Sequence, residues 1–165
     1  MTAAGFIATV GGIGRLPMAP GTWGSLAALP AALALHGLGG FPALAIATGV
    51  VFAIGLWAVG AAGPAPDPDR PEFVVDEVVG QWIAIFPMSL AFWYRDGAPG
   101  TLPWPAWVFP FLAFRFFDIV KPPPVSWADR LKTPLGVMLD DVVAGVMAGL
   151  LCLLLAIAYH GLVIL

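Results

Sequence analysis

Apolar residues run along this chain in long blocks, separated by short polar, glycine-rich or proline-rich stretches. Residues 25–38 form the first block. At 1.5 Å per residue it makes a helix only about 21 Å long, short of the roughly 30 Å hydrocarbon core of a bilayer. Pro30 sits inside it and His36-Gly37-Leu38-Gly39-Gly40 ends it. Residues 41–62 carry no charge and make the plainest spanning helix. Residues 73–94 make a third, and residues 106–117 a fourth, kinked at Pro110. A fifth starts near Gly136 and is apolar from Val142 to Leu165, apart from Cys152, Tyr159 and His160. Residues 1–10 read as a short interfacial segment. The pattern predicts an all-α, polytopic membrane helical bundle. It has four to five membrane segments, one of them short or re-entrant, in a single domain over residues 1–165.

Composition agrees. The 165 residues are 60% hydrophobic and 10% charged, where a soluble domain carries about 25% charged residues. So few charges cannot cover a globular surface, so the solvent of this chain is mostly lipid. The length leaves no room for a separate soluble domain. A net charge of −3 gives no reason to expect a nucleic-acid partner. Cys152 is alone and forms no internal disulfide. The first residues lack the basic region and apolar core of a secretory signal.

Two acid pairs break the apolar blocks. Asp140 and Asp141 open the last one. Asp141, Gly145 and Gly149 share one helical stripe, and Asp140, Ala144 and Ala148 the next. Asp76 and Glu77 stand in the first turn of the third helix, where Asp76, Gly80 and Ala84 share a face and Glu77 and Gln81 the neighbouring one. A helix N-terminus favours a carboxylate by about 0.3–1 kcal/mol. That accounts for one acid at one end better than for two pairs, each followed by small residues at every fourth position. Such residues let helices approach closely in lipid. Carboxylates at a membrane helix end are costly unless paired, solvated or bound to a cation. Each pair is therefore expected at a tight helix junction.

The connecting stretches add charge. Residues 11–25 are punctuated by glycine and proline and feed a helix expected to start near Ser25, with Thr22 or Ser25 as N-cap. Such a loop points N–H groups at an anion, and Arg15 adds charge; an ordinary membrane-entry loop is the alternative. Asp67-x-Asp69 superficially resembles an aspartyl-phosphate motif, but that motif needs a preceding strand and an α/β domain. It reads as loop. If the segments alternate across the bilayer, Arg15, Arg70, Arg115, Lys121, Arg130 and Lys132 fall on one side and Arg95 on the other. The excess marks the first side as cytoplasmic. Asp76, Glu77, Asp118, Asp140 and Asp141 fall on that same side.

Those acids would repel without something positive among them. Hard oxygen ligands suit Mg²⁺, which completes its shell with water and substrate phosphate. Adjacent helical residues point roughly 100° apart, so one acid of each pair is expected to ligate directly, Asp76 and Asp141 being favoured. Arg15, Arg115, Lys121 and Arg130 could clamp a phosphate, although Arg115 and Asp118 are i, i+3 and could simply pair. A set of interfacial ion pairs closing the bundle is the alternative. His36 and His160 fall near the opposite face, and Cys152 lies deep in the last helix. What remains is metal-activated water or a carboxylate nucleophile attacking phosphorus.

Four stretches together resemble the phosphatidylglycerophosphatase A family of bacterial membrane lipid phosphatases. They are Pro20-Gly21-Thr22-Trp23-Gly24-Ser25-Leu26-Ala27-Ala28, Val75-Asp76-Glu77-Val78-Val79-Gly80, Phe114-Arg115-Phe116-Phe117-Asp118-Ile119-Val120-Lys121-Pro122, and Gly136-Val137-Met138-Leu139-Asp140-Asp141-Val142-Val143-Ala144-Gly145. They occur in the family's order and at similar spacing. Asp129 matches a further acid; Lys132-Thr133-Pro134 departs from the glycine-rich approach expected there. The resemblance implies a Mg²⁺-dependent phosphatase that converts phosphatidylglycerophosphate to phosphatidylglycerol and inorganic phosphate, on the cytoplasmic leaflet of the bacterial inner membrane. Asp76, Glu77, Asp118, Asp140 and Asp141 would hold Mg²⁺ and orient water. Arg15, Gly21, Thr22, Ser25, Arg115, Lys121 and Arg130 would bind the phospholipid head group. The rival readings are a phosphatase of another lipid phosphate, a small ion-coupled transporter and a membrane scaffold.

Overall fold

The computed structural model describes residues 1–63 and 68–164, the side chains of residues 160–164 excepted. Asp67 and the His160 side chain therefore lie outside the described residues. The described chain is all-α: α1 (Ala3–Ala8), a 3-10 turn (Ile13–Arg15), α2 (Pro20–Ala62), α3 (Val75–Asp96), α4 (Pro105–Val120), α5 (Val125–Asp129) and α6 (Pro134–Ile164). Three stretches are long and apolar enough to cross a membrane: α2, α3 and Pro134–Tyr159 of α6.

The first two expected segments are joined in α2 without a loop. Its 43 residues would measure about 65 Å if straight. Yet Gly21 near its start packs against Glu77, and Gly55 near its end packs against Val75, both in the first turn of α3. The helix must fold back, and the break is Gly40, with φ 65° and ψ −159°. A β-carbon there would also run into the Trp93 ring. Glycine is required twice over, for its backbone angles and for its missing side chain.

The expected hydroxyl cap is not used. The helix starts five residues before Ser25, at Pro20, which fixes φ and has no N–H to satisfy. Thr22 and Ser25 lie inside the helix, and the Ser25 hydroxyl donates back to the Gly21 carbonyl at 2.9 Å. Other boundaries shift less. Helix α3 starts at Val75 rather than 73, and α4 runs three residues past 117. Helix α6 starts at Pro134, and the short α5 was not anticipated.

Helix α3 lies at the centre. Gly80 packs on Asp141 and Gly145 of α6, and farther along Gly149 of α6 packs on Pro87. The contacts advance together, so α3 and α6 run parallel with their acid-bearing ends side by side. Phe114, toward the end of α4, packs on Gly80, so α4 runs antiparallel to α3 and delivers Asp118 to the same end. Buried Ala84, Phe114, Ala144 and Ala148 fill the seam. Between α2 and α3 the core is Ala28, Leu29, Ala32, Leu44, Trp82 and Ile85. The Trp82 indole N–H donates to the Ala28 carbonyl at 2.8 Å. Several polar atoms deep in the bundle are paired in this way, as a lipid-immersed fold favours. Another example is the buried 2.7 Å hydrogen bond between His36 Nδ1 and Ser89 Oγ. Outward-facing residues such as Ile46, Val50, Trp57, Leu150, Leu154 and Ile157 remain apolar and exposed.

Candidate active site

The closest acids come from the first turn of α3 and the second turn of α6. Asp76, Glu77 and Asp141 each offer a carboxylate oxygen, and these atoms lie within 4.8 Å of one another. The small-residue stripes are the cause. A β-carbon on Gly145 would overlap the Gly80 carbonyl oxygen, and one on Gly80 would meet Phe114 and the Asp141 carbonyl. Helices α3 and α6 therefore touch backbone to backbone just below the acids.

The acids are shielded from solvent. Asp76 and Asp140 are 8% exposed and Asp141 3%. In each pair the first acid accepts its successor's backbone N–H: Glu77 N–H to Asp76 Oδ1 and Asp141 N–H to Asp140 Oδ1, both 3.0 Å. Glu77 Oε2 is buried and has no hydrogen-bond partner, as are both amide atoms of Gln81 and Arg115 Nε. A buried, unpartnered carboxylate oxygen beside two further carboxylates is poised for a cation.

Two cations enter from α4. Arg115 Nη1 pairs with Asp118 Oδ2 at 2.6 Å, the i, i+3 pairing that the spacing allowed. The same nitrogen donates to Ser25 Oγ at 3.4 Å. A β-carbon on Gly21 would collide with Glu77 Oε1 and stand 3.2 Å from Arg115 Nη1, so this glycine admits both groups to the start of α2. Lys121, in a left-handed conformation (φ 47°) at the end of α4, donates to Asp140 Oδ2 at 2.8 Å and to Asp129 of α5. Burial pulls the Lys121 ammonium down, but its hydrogen bonds to Asp129 and Asp140 outweigh that and raise its pKa above the ordinary lysine value. The Lys121 hydrogen bond in turn holds the Asp129 carboxyl below the usual range.

These groups surround a cavity of about 110 Å³ lined by Asp76, Glu77, Asp118, Lys121, Asp140 and Asp141, with Asp129 beside them. Gly21, Ser25 and Arg115 stand behind Glu77 and Asp118. The structure does not bring every expected residue there. Arg15 is exposed in the 3-10 turn, Thr22 is half-buried on α2, and Arg130 is exposed at the end of α5; none lines the cavity. Asp129 faces it and its chain neighbour Arg130 does not, as the roughly 100° step between adjacent helical residues dictates. Along with Pro71, Phe73 and Val137, three exposed charged residues join the lining instead: Asp69, Arg70 and Lys132. Their signal in sequence was slight. Arg70 and Lys132 counted only toward the charge of one side, and Asp69 read as loop.

The family model of phosphatidylglycerophosphatase A matches residues 6–156, a stretch that contains every one of these groups. The chain belongs to the phosphatidylglycerophosphatase A family. It is 34% identical over 139 residues to phosphatidylglycerophosphatase A of Haemophilus influenzae, covering 83% of this chain and 78% of that one. To phosphatidylglycerophosphatase A of Escherichia coli it is 33% identical over 143 residues, covering 85% and 76%. A Bacteroides thetaiotaomicron protein, provisionally named a phosphatidylinositol-3-phosphatase, is 37% identical over 147 residues, 85% of each chain. No solved structure matches the chain. As a member of the phosphatidylglycerophosphatase A family it is a phosphoric monoester hydrolase.

Proposed function

We propose that this enzyme hydrolyses phosphatidylglycerophosphate to phosphatidylglycerol and inorganic phosphate, in a Mg²⁺-dependent reaction at the cytoplasmic face of a bacterial inner membrane. The observation that carries the reading is the convergence of Asp76, Glu77 and Asp141 within 4.8 Å, beside Arg115 and Lys121, at one end of an apolar bundle. We read α2 as two membrane segments folded at Gly40, with α3, α4 and α6 as the others. The charge bias of the loops then supports a cytoplasmic site.

The donor set fits Mg²⁺: hard carboxylate oxygens, one of them (Glu77 Oε2) buried without a partner. Asp76, Glu77 and Asp141 would hold the ion, and Asp118 and Asp140 would flank it. When bound it supplies charge neutralisation at the phosphate and a more acidic water. The chain's own groups do the rest. Arg115, braced by Asp118 and Ser25, presents guanidinium N–H groups to phosphate oxygens as negative charge shifts toward the leaving group. Lys121 does the same from the opposite side, exchanging part of its contact with Asp140 for the substrate. A carboxylate not engaged with the ion orients water and takes its proton. The lipid's acyl chains stay in the bilayer while its head group reaches the cavity.

A second reading, a phosphatase of another phosphorylated lipid, is favoured by the Bacteroides relative's name. The test is phosphate release by purified protein in lipid, on phosphatidylglycerophosphate and phosphatidate, each with Mg²⁺ and with excess chelator. Release from the first alone, abolished by chelator, is the expected result. Equal release from both would leave the site standing and remove the narrow substrate. Release that survives chelation would remove Mg²⁺ from the reading.

A further inference from the structure

The cations in and beside the cavity fall into two sets. The inner pair is Lys121 in the lining, bonded to Asp129 and Asp140, and Arg115 just behind it, paired with Asp118. The outer pair, Arg70 and Lys132, lines the same cavity from its exposed side. A phosphomonoester drawn to the buried carboxylates and inner cations leaves the outer pair facing whatever part of the head group lies farther out.

Both outer cations stand on anchored backbone. The loop carrying Arg70 is held on each side. Pro68 is buried against Gly63, and Glu72 lays its carbonyl on Gly14, where a β-carbon would overlap it. Phe73 N–H closes a turn onto the Arg70 carbonyl at 2.9 Å, and Val74 N–H reaches the Ala8 carbonyl at 2.8 Å. Lys132 is in the left-handed region, φ 48°, just before a turn closed by Gly136 N–H on Thr133 Oγ1 at 3.0 Å. The Arg70 side chain pairs with Glu72 at 3.2 Å, with side-chain exposures of 46% and 36%. An exposed pair of this kind is weak, so a phosphate can replace Glu72 on the guanidinium at little cost.

We propose that Arg70 and Lys132 form a second anion subsite at the cavity mouth, which takes the phosphodiester of a head group whose terminal phosphomonoester is being hydrolysed. The substrate class is then a lipid with two phosphates separated by a polyol, and the outer pair is what selects it over a lipid with one. Phosphatidylglycerophosphate has both phosphates; phosphatidate has only the monoester. Arginine and lysine suit the task, since an arginine fork can bind two diester oxygens and a lysine adds a point charge. The inference rests on the lipid phosphatase reading above and adds to it the residues that choose the head group.

The test compares the wild type, a charge-removing double variant (Arg70→Gln with Lys132→Gln) and a charge-keeping one (Arg70→Lys with Lys132→Arg). Each is assayed on phosphatidylglycerophosphate and phosphatidate in mixed micelles at saturating Mg²⁺. The ratio of kcat/KM for the first lipid over the second is expected to fall about tenfold in the charge-removing variant, the scale of one hydrogen bond to a charged group. The fall should lie mainly in KM, and the charge-keeping variant should restore the ratio. A ratio unchanged between wild type and the charge-removing variant overturns the subsite while leaving the phosphatase reading intact. A wild type that releases phosphate from neither lipid overturns both.

Discussion

A β-carbon on Gly80 would stand 2.6 Å from the carbonyl oxygen of Asp141. The cavity is therefore set by a missing methyl group. Helices α3 and α6 meet backbone to backbone one turn past Asp76 and Glu77, and that contact holds three carboxylates within reach of one ion. Substituting Gly80→Ala is expected to push the helices apart. Overpacking of this kind costs about 1–3 kcal/mol, so thermal unfolding in detergent should move to lower temperature. Phosphate release should fall further than stability does, since the added methyl displaces the Asp141 backbone itself. A Gly80→Ala protein with unchanged melting and unchanged turnover would contradict this account of the seam.

Asp141 has its side chain among the carboxylates and its backbone on Gly80. Replacing it with asparagine keeps the volume and removes one charge and one carboxylate oxygen. Asp141→Asn should lower kcat by about 10²-fold or more, the scale on which a positioned acid–base group acts, while the protein remains helical and membrane-inserted. Circular dichroism together with phosphate release separates the two effects. Near-normal turnover would place the chemistry elsewhere.

The acid-bearing stripes were legible in sequence because helical period and side-chain size are local properties. Asp76-Gly80-Ala84 and Asp141-Gly145-Gly149 foretell a close junction wherever the helices lie. The resemblance to the phosphatidylglycerophosphatase A family was legible for a related reason: its motifs are short, ordered stretches around those acids. The turn at Gly40 was harder. His36-Gly37-Leu38-Gly39-Gly40 read as the end of one segment, whereas a single glycine with positive φ folds a continuous helix and gives its space to Trp93, a contact 53 positions away. Arg15 and Arg130 show another limit. Charge counting assigns a side of the membrane, not a direction for a side chain, and neither of the two lines the cavity. Asp69 was missed because its loop has no period. That loop is held through Pro68 on Gly63 and Glu72 on Gly14, contacts that appear only when the chain is assembled.

Lys121 links three elements, through Asp129 on α5, Asp140 on α6 and its own place at the end of α4. Its pKa is raised, so its contribution to stability is complete below the ordinary lysine value and is lost as pH rises through the folded one. Asp129 has a lowered pKa, so its contribution is present above the ordinary aspartate value and is lost as pH falls through the folded one. The Lys121–Asp129 arm is therefore whole from about pH 4 to about pH 10. In Asp129→Asn, Lys121 keeps Asp140, so the melting difference from wild type reports the Asp129 arm alone. That difference should stay level through the window and shrink below about pH 4. A difference that persists undiminished in acid would show that the asparagine acts through packing.

The proposed Mg²⁺ site predicts that removing the ion reverses the sign of a substitution. With no cation bound, Asp76, Glu77 and Asp141 face one another in a site shielded from water, where like charges repel strongly. Asp141→Asn removes one of them and should melt at a higher temperature than wild type in excess chelator. Adding Mg²⁺ should change the order. A ligand at 100 times its Kd stabilises the folded state by about 2.7 kcal/mol, and the wild type gains this in full while the variant, short of one oxygen ligand, gains less. Melting temperatures measured against Mg²⁺ concentration should therefore cross. The crossing discriminates between roles in a way that activity does not. A carboxylate cluster built only to close the bundle would give two parallel lines, insensitive to Mg²⁺, with the variant below the wild type throughout. A cluster built to hold a cation pays in stability when empty, and the crossing point measures how much.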